Sequence, residues 1–294
     1  MSIFQRIFGR RTTPAPDRAA TAPLDPKMTL GTGRRKHVVV GAAHSLGLER
    51  SQDDDALLVL TGGSDGHEGL IDFGLFCVAD GLGGYEHGNL ASSIAVRTVA
   101  RRLTQGAFLR LMELEPSNEE EPLEDMVRSA FVEANEAILK HAEGGATTLT
   151  ITLLLGEYLM IGHVGDTRAY LLNEKKVDVL TKDQSMVKKL VDMGAMTEDE
   201  AAESPHRNVL WNAMGRTEEL EVEVFSYPIL HDGYLLLCSD GLWGQISDDE
   251  IQDIVLGADH PQQACDTLVQ AATESGGSDN ITAVLIHFPP KLEF

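Results

Sequence analysis

The sequence predicts an α+β fold, a four-layer sandwich in which two antiparallel β-sheets pack face to face with α-helices outside. Three observations predict it. Short β-rich runs alternate with helical stretches, but without the regular strand-helix-strand rhythm of a doubly wound parallel sheet. Several runs, 73–79 and 234–238 among them, are apolar at most positions, and such strands need cover on both faces. With 294 residues, 43% of them hydrophobic, the chain can fill a real core.

In chain order, residues 1–36 are rich in Pro, Thr, Ala and Arg and carry eight Lys/Arg against two Asp, which reads as a flexible basic arm. Within it, Ile3, Phe4, Ile7 and Phe8 beside Arg6, Arg10 and Arg11 hint at a short apolar face. Membrane or partner docking by that face is a weaker reading than a disordered extension. One domain then spans 37–288, with a tail at 289–294. Runs 37–43, 55–60 and 73–79 read as strands, and 88–105 and 123–142 as helices either side of an acidic exposed loop at 113–125. Strands 147–155 and 158–164 follow, joined by a hairpin turn at Gly156-Glu157. Gly165-Asp166-Thr167 reads as a second hairpin turn into strand 169–172. A helix at 185–193 comes next, and Thr197 with Glu200 forms a capping box for a short helix outside the sheets. Strands 221–225 and 234–238 precede a helix at 247–256, where Ser247 and Glu250 suggest another capping box. Pro261 suits the first turn of a helix at 261–274, and strand 281–288 closes the domain.

The formal net charge of −22 falls on the body, which will not attract nucleic acid. Cys77, Cys238 and Cys265 are odd in number, and the first two lie in apolar runs, so reduced structural cysteines are expected. No run approaches the roughly 18 apolar residues of a membrane span, and residues 1–11 lack the apolar core of a secretory signal. A cytoplasmic, monomeric protein is the expectation.

Four acids stand where an apolar strand ends or begins: Asp80 after 73–79, Asp166 between 158–164 and 169–172, Asp240 after 234–238 and Asp279 before 281–288. Strand ends gather at one rim of a sheet, and four carboxylates gathered there repel one another unless cations are present. Three of them adjoin glycine, which lets the backbone come close to an ion or ligand. Asp-rich loops poor in His and Cys suit hard cations, Mg²⁺ or Mn²⁺ over zinc. Two such ions bridged by one carboxylate lower the pKa of a shared water and clamp a phosphoryl group, so phosphate-ester hydrolysis is the natural chemistry. Arg50, five residues before Asp55, suits the phosphate because a guanidinium fork matches its oxygens.

The runs Gly47-Leu-Glu-Arg50-Ser-Gln-Asp53-Asp54-Asp55, Val78-Ala-Asp80-Gly81-Leu82-Gly83-Gly84 and Gly145-Ala-Thr-Thr148 come first. Gly165-Asp166-Thr167-Arg168, Cys238-Ser-Asp240-Gly241-Leu-Trp and Ser278-Asp279-Asn280 follow in order. Over residues 37–288 this series resembles the metal-dependent protein phosphatases of type 2C, their bacterial serine/threonine subgroup in particular. The resemblance implies hydrolysis of phosphoserine and phosphothreonine proteins, in opposition to a serine/threonine kinase. It further implies a metal-bridging hydroxide in a binuclear Mg²⁺ or Mn²⁺ centre. By the same resemblance Asp80 bridges both ions with the Gly81 carbonyl on one of them, Asp240 and Asp279 hold the first, and Asp54 or Asp55 reaches the second. Asp166 then serves a third, weaker ion, and Arg50 binds phosphate. Residues 185–213 resemble the flap of bacterial members.

Besides Asp54, which stands where the family typically has Glu, two departures matter for mechanism. Leu82 stands where some members carry a proposed histidine acid, and Gln184 stands where the family commonly has His, which implies a structural difference there. Alone, each Asp-Gly is a turn signal and Arg50 a surface charge or a salt-bridge partner; only the joint order favours a site. Gly83-Gly84 lacks the spacing of a nucleotide loop. Of the scattered histidines only His87 merits testing as a proton donor, and Trp211 and Trp243 read as core or loop anchors. The competing reading is a catalytically silent phosphoprotein-binding module of the same fold.

Overall fold

A computed structural model describes residues 38–63, 72–82, 87–109, 121–156, 158–229 and 231–290. The basic arm, Gly83-Gly84 and most of the 113–125 loop lie outside the described residues.

The elements run β1 (Val39–Ser45), β2 (Asp55–Gly62), β3 (Phe73–Asp80), α1 (Gly88–Leu103), α2 (Leu123–His141), β4 (Leu149–Leu155), β5 (Tyr158–Val164), β6 (Arg168–Asn173) and β7 (Lys176–Val179). They continue with α3 (Met186–Asp192), α4 (Glu198–Ala202), β8 (Glu223–Pro228), β9 (Gly233–Cys238), α5 (Asp240–Trp243), α6 (Asp248–Gly257), α7 (Pro261–Glu274) and β10 (Ile281–Phe288). One sheet has the order β2-β3-β4-β5-β8 and the other β1-β10-β9-β6-β7, every pair antiparallel. The expected α+β sandwich is the fold found.

Continuous apolar runs are explained by the pleat, which sends alternate side chains to opposite faces. On β3, Phe76 and Val78 face the other sheet, where they meet Leu235, Leu237, Val284 and Ile286. Leu75, Cys77 and Ala79 face α1 and α2 with Val99, Phe131 and Ile138. On β9 the inner residues are Leu235 and Leu237, while Leu236 and Cys238 face α6 and α7 beside Ile251, Cys265 and Leu268. Three apolar seams thus separate four layers, and all three cysteines are buried.

Thr197 and Glu200 make both bonds of the expected capping box at α4, whereas Ser247 makes only the forward bond, accepting from Glu250 N–H at 3.2 Å. Pro261 opens α7, with the His260 side chain capping it. Two expectations need correction. Gly165-Asp166-Thr167 is not a hairpin turn: β5 belongs to one sheet and β6 to the other, so this segment crosses between sheets. β6 instead forms its hairpin with β7, an unforeseen strand set up by Asn173, whose Oδ1 accepts from the amides of Lys175 and Lys176 at 2.8 and 3.2 Å. The strand expected at 221–225 is shifted to β8, at the edge of its sheet, where Pro228 is tolerated.

Candidate active site

Both sheets deliver strand ends to one rim. Asp55 opens β2 directly opposite Asp80, which closes β3. The Asp80 backbone is gripped by the 145–148 segment: its N–H donates to Thr148 Oγ1 at 3.0 Å, and its carbonyl accepts from Thr148 N at 2.9 Å and Thr147 Oγ1 at 2.9 Å. That is the structural work of the Gly-Ala-Thr-Thr motif. Beyond Asp80, the Gly81 amide donates to the Asp54 carbonyl at 3.0 Å.

The second sheet contributes Asp240, first residue of α5 after β9, and Asp279, two residues before β10. Gly241 is required between them, since a Cβ there would lie 2.0 Å from the Asn280 carbonyl oxygen. Asp166 rides the crossing between sheets, entered through Gly165 at φ +105°. The crossing that replaced the expected hairpin is what brings Asp166 to the rim.

Burial decides the electrostatics here. Loss of water pushes Asp55 up to about 7, with the Asp240 charge adding to it and the hydrogen bond from Thr282 opposing. Asp240 is raised to about 6 by burial and by Asp279. Asp80 is raised well above the carboxylate range by burial, then by Asp55, Asp240, Asp166 and Asp279. Asp166 is raised by burial, Asp240 and Asp183, against the pull of Arg168. The five acids Asp55, Asp80, Asp166, Asp240 and Asp279 therefore share one electrostatic neighbourhood.

Among the described residues, no three His, Cys, Asp or Glu side chains are drawn tight enough to cage an ion by themselves. The fit to a hard cation shows in the unused donors. Asp55 Oδ2 accepts from Thr282 Oγ1 at 2.6 Å, while Asp55 Oδ1 and Asp240 Oδ1 are buried without any partner. A buried carboxylate oxygen with no donor costs about 1–3 kcal/mol or more, a cost that a cation would offset. Anionic oxygen donors in place of thiolates or imidazoles match Mg²⁺ or Mn²⁺.

Asp54 differs from Asp55. Its Oδ1 accepts from Gln52 Nε2 at 3.0 Å and its charge acts on Arg50. Arg50 Nη2 donates to Asp279 Oδ2 at 2.7 Å, the ion pair that the plainer reading of this residue predicts. Asn280, a member of the Ser278-Asp279-Asn280 motif, proves central. Its Nδ2 donates to the carbonyls of Leu46 and Gln52 at 3.1 and 3.0 Å, and its Oδ1 accepts from Asp54 N at 2.8 Å, which ties the Arg50 loop to β10.

Leu82 offers no proton and is held by its amide on the Ala146 carbonyl at 3.0 Å. His87, with φ +68°, precedes α1 and places Nδ1 3.3 Å from the Glu143 carbonyl. Gln184 is structural: its Oε1 accepts from Gly165 N at 2.8 Å and Asn212 Nδ2 at 2.6 Å. Segment 185–213 leaves and returns at a pinched base, where Met186 N donates to the Val209 carbonyl and Trp211 N to the Gln184 carbonyl. Beneath it opens a cleft of about 530 Å³ lined by Asp240, Asp279, Trp243, Val187 and Arg207.

A family model described as protein phosphatase 2C matches residues 51–285. The serine/threonine phosphatase stp of Listeria welshimeri is 34% identical over 215 residues, 71% of this chain and 82% of that protein. Protein phosphatase PhpP of Streptococcus pneumoniae is 32% identical over 222 residues, 72% of this chain and 85% of its own. Among solved structures, the Mycobacterium tuberculosis serine/threonine phosphatase PstP/Ppp superposes with a TM-score of 0.70 at 29% identity, covering 86% of this chain and 99% of that one. The catalytic domain of PstP in complex with two manganese ions superposes at 0.68 and 28% identity, covering 85% and 97%.

Proposed function

The chain belongs to the protein phosphatase 2C family as a serine/threonine phosphatase of the bacterial kind, and we propose that it works through a binuclear Mg²⁺ or Mn²⁺ centre at the rim just described. The observation that carries the proposal is the pair of buried, partnerless oxygens, Asp55 Oδ1 and Asp240 Oδ1, within one group of acids.

In this reading Asp80 and the Gly81 carbonyl would help to hold the two ions. Asp240 and Asp279 would hold the first, and Asp55 rather than Asp54 would serve the second, because the Asp55 charge acts on Asp80 and feels Asp240 while Asp54 Oδ1 accepts from Gln52. Asp166 would serve a third, weaker ion. When bound, the ions supply a water of lowered pKa and a Lewis-acid clamp on the phosphoryl group.

The chain's own residues do the rest. Arg50 turns from Asp279 to the substrate's phosphoryl oxygens, its guanidinium matching them in pairs. Asn280 keeps the loop that carries Arg50 in register with Asp279. Leu82 cannot protonate the departing serine or threonine oxygen, which takes its proton from solvent in the cleft. The 185–213 flap shapes access for phosphoproteins, the products of an opposing serine/threonine kinase. No described helix is long and apolar enough to cross a membrane. A cytoplasmic location fits such substrates.

Hydrolysis of p-nitrophenyl phosphate with and without Mn²⁺ tests the proposal, with metal-dependent turnover expected. Asp240→Asn should lose nearly all of it, and retention of more than a tenth of wild-type turnover would contradict the assignment. Absence of turnover at every metal concentration would favour a silent phosphoprotein-binding module.

A further inference from the structure

Asp166 lies on a crossing, not a strand, so something outside the sheet ladders must hold it against its acidic neighbours. The indole of Trp243 does so: Nε1–H donates to the Asp166 carbonyl at 3.1 Å. Trp243 is the last residue of α5, the short helix that Asp240 opens, so one side chain ties the Asp166 turn to the Asp240 turn. The ring is fixed from its face as well, because the Arg168 guanidinium lies 3.6 Å from its centroid. Arg168 is itself immobilised, donating through Nε and Nη2 to the two carboxylate oxygens of Asp183 at 3.0 and 2.7 Å and through Nη1 to Tyr170 Oη at 2.9 Å. A bidentate fork of this kind fixes the plane of the guanidinium and hence of the ring stacked on it.

Resting on the metal-centre reading above, we propose that Trp243 is a positioning residue that sets the spacing of Asp166 from Asp240 and thereby the affinity of the weakest ion, acting through Asp166 and not as a ligand itself. Arg168 and Asp183 act as its brace. Groups that orient a metal ligand from behind it typically govern metal affinity by about 10–100-fold.

Trp243→Phe keeps a ring for Arg168 but deletes the N–H that holds Asp166. Mn²⁺ binding to the purified full-length protein, followed by calorimetry and by electron paramagnetic resonance of free Mn²⁺, reads the effect without turnover. The tight pair of Mn²⁺ steps should be unchanged and the weakest step should weaken about tenfold. Asp166→Asn should remove that weakest step, and adding Trp243→Phe to it should change the isotherm no further. A Trp243→Phe isotherm that matches wild type, even with a lowered Tm, would overturn the inference and leave Trp243 a packing residue. Equal weakening of all steps would overturn it too, as would a wild-type isotherm that ends after two tight steps. A wild-type protein that binds no Mn²⁺ at all would overturn the metal centre itself.

Discussion

Asp55 and Asp80 face each other across the β2–β3 ladder as a directly opposed pair. Like charges in that position destabilise a sheet, and here both are only partly open to the water that would screen them. Asp80→Asn, of the same shape, should therefore raise the stability of the metal-free protein by roughly 1 kcal/mol, about 2–4 °C in Tm, while abolishing its stabilisation by Mn²⁺. Thermal melts in EDTA and in Mn²⁺ read both effects. A metal-free variant melting below wild type would show that the pair is not a standing cost of the site.

Arg50 is engaged with Asp279 yet more than a third of its side chain is exposed, 37%, so it is free to exchange partners. Arg50→Ala should raise KM for a phosphopeptide about tenfold or more, with Mn²⁺ affinity near that of wild type. Equal loss in both measurements would make Arg50 a brace for Asp279 and not a phosphate contact.

Local signals made β3 and the Asp80-Gly81 turn readable, because an apolar run and its terminating turn lie side by side in the chain. The choice between Asp54 and Asp55 was not readable, since it depends on which of them enters the ladder opposite Asp80. Nor could the sequence tell that Asp166 sits on an inter-sheet crossing. A Gly-Asp turn looks the same in a hairpin, and the difference lies in β6 pairing with β9, a segment far along the chain. β7 was hidden for another reason. Its four residues Lys-Val-Asp-Val are short, edge-placed and nowhere fully buried, so no apolar run marks them.

Asn280 illustrates the same limit and yields a test. Its partners Leu46, Gln52 and Asp54 lie more than two hundred residues away, so no periodicity announces the clamp. Asn280→Ala leaves two carbonyls and one amide without their partners at a site only 3% exposed. A loss of about 2–3 kcal/mol in urea denaturation is expected, with faster amide exchange over residues 46–54. Unchanged exchange there would mean that the loop is held by other contacts.

His163 supplies the pH test, because it is fully buried on β5 and burial pushes its pKa from 6.5 down to about 4. The Lys182 carbonyl, 3.1 Å from Nε2, can only accept, so the proton resides on Nε2 and Nδ1 accepts from the Thr150 hydroxyl at 2.9 Å. Protonating Nδ1 would turn that acceptor into a donor inside the Thr150–Thr167 hydroxyl pair. The unfolded chain binds this proton near pH 6.5 and the folded one only near 4, so the folded state loses stability as pH falls through that window and is unaffected above it. The loss amounts to roughly 3 kcal/mol by pH 4. The buried acids titrate in the opposite sense, so the effect must be read as a difference between proteins. In EDTA, the stability of wild type minus that of His163→Gln should be constant above pH 6.5 and should shrink steadily towards pH 4. Parallel urea-denaturation curves across that range would show that the imidazole takes up its proton without cost to the fold.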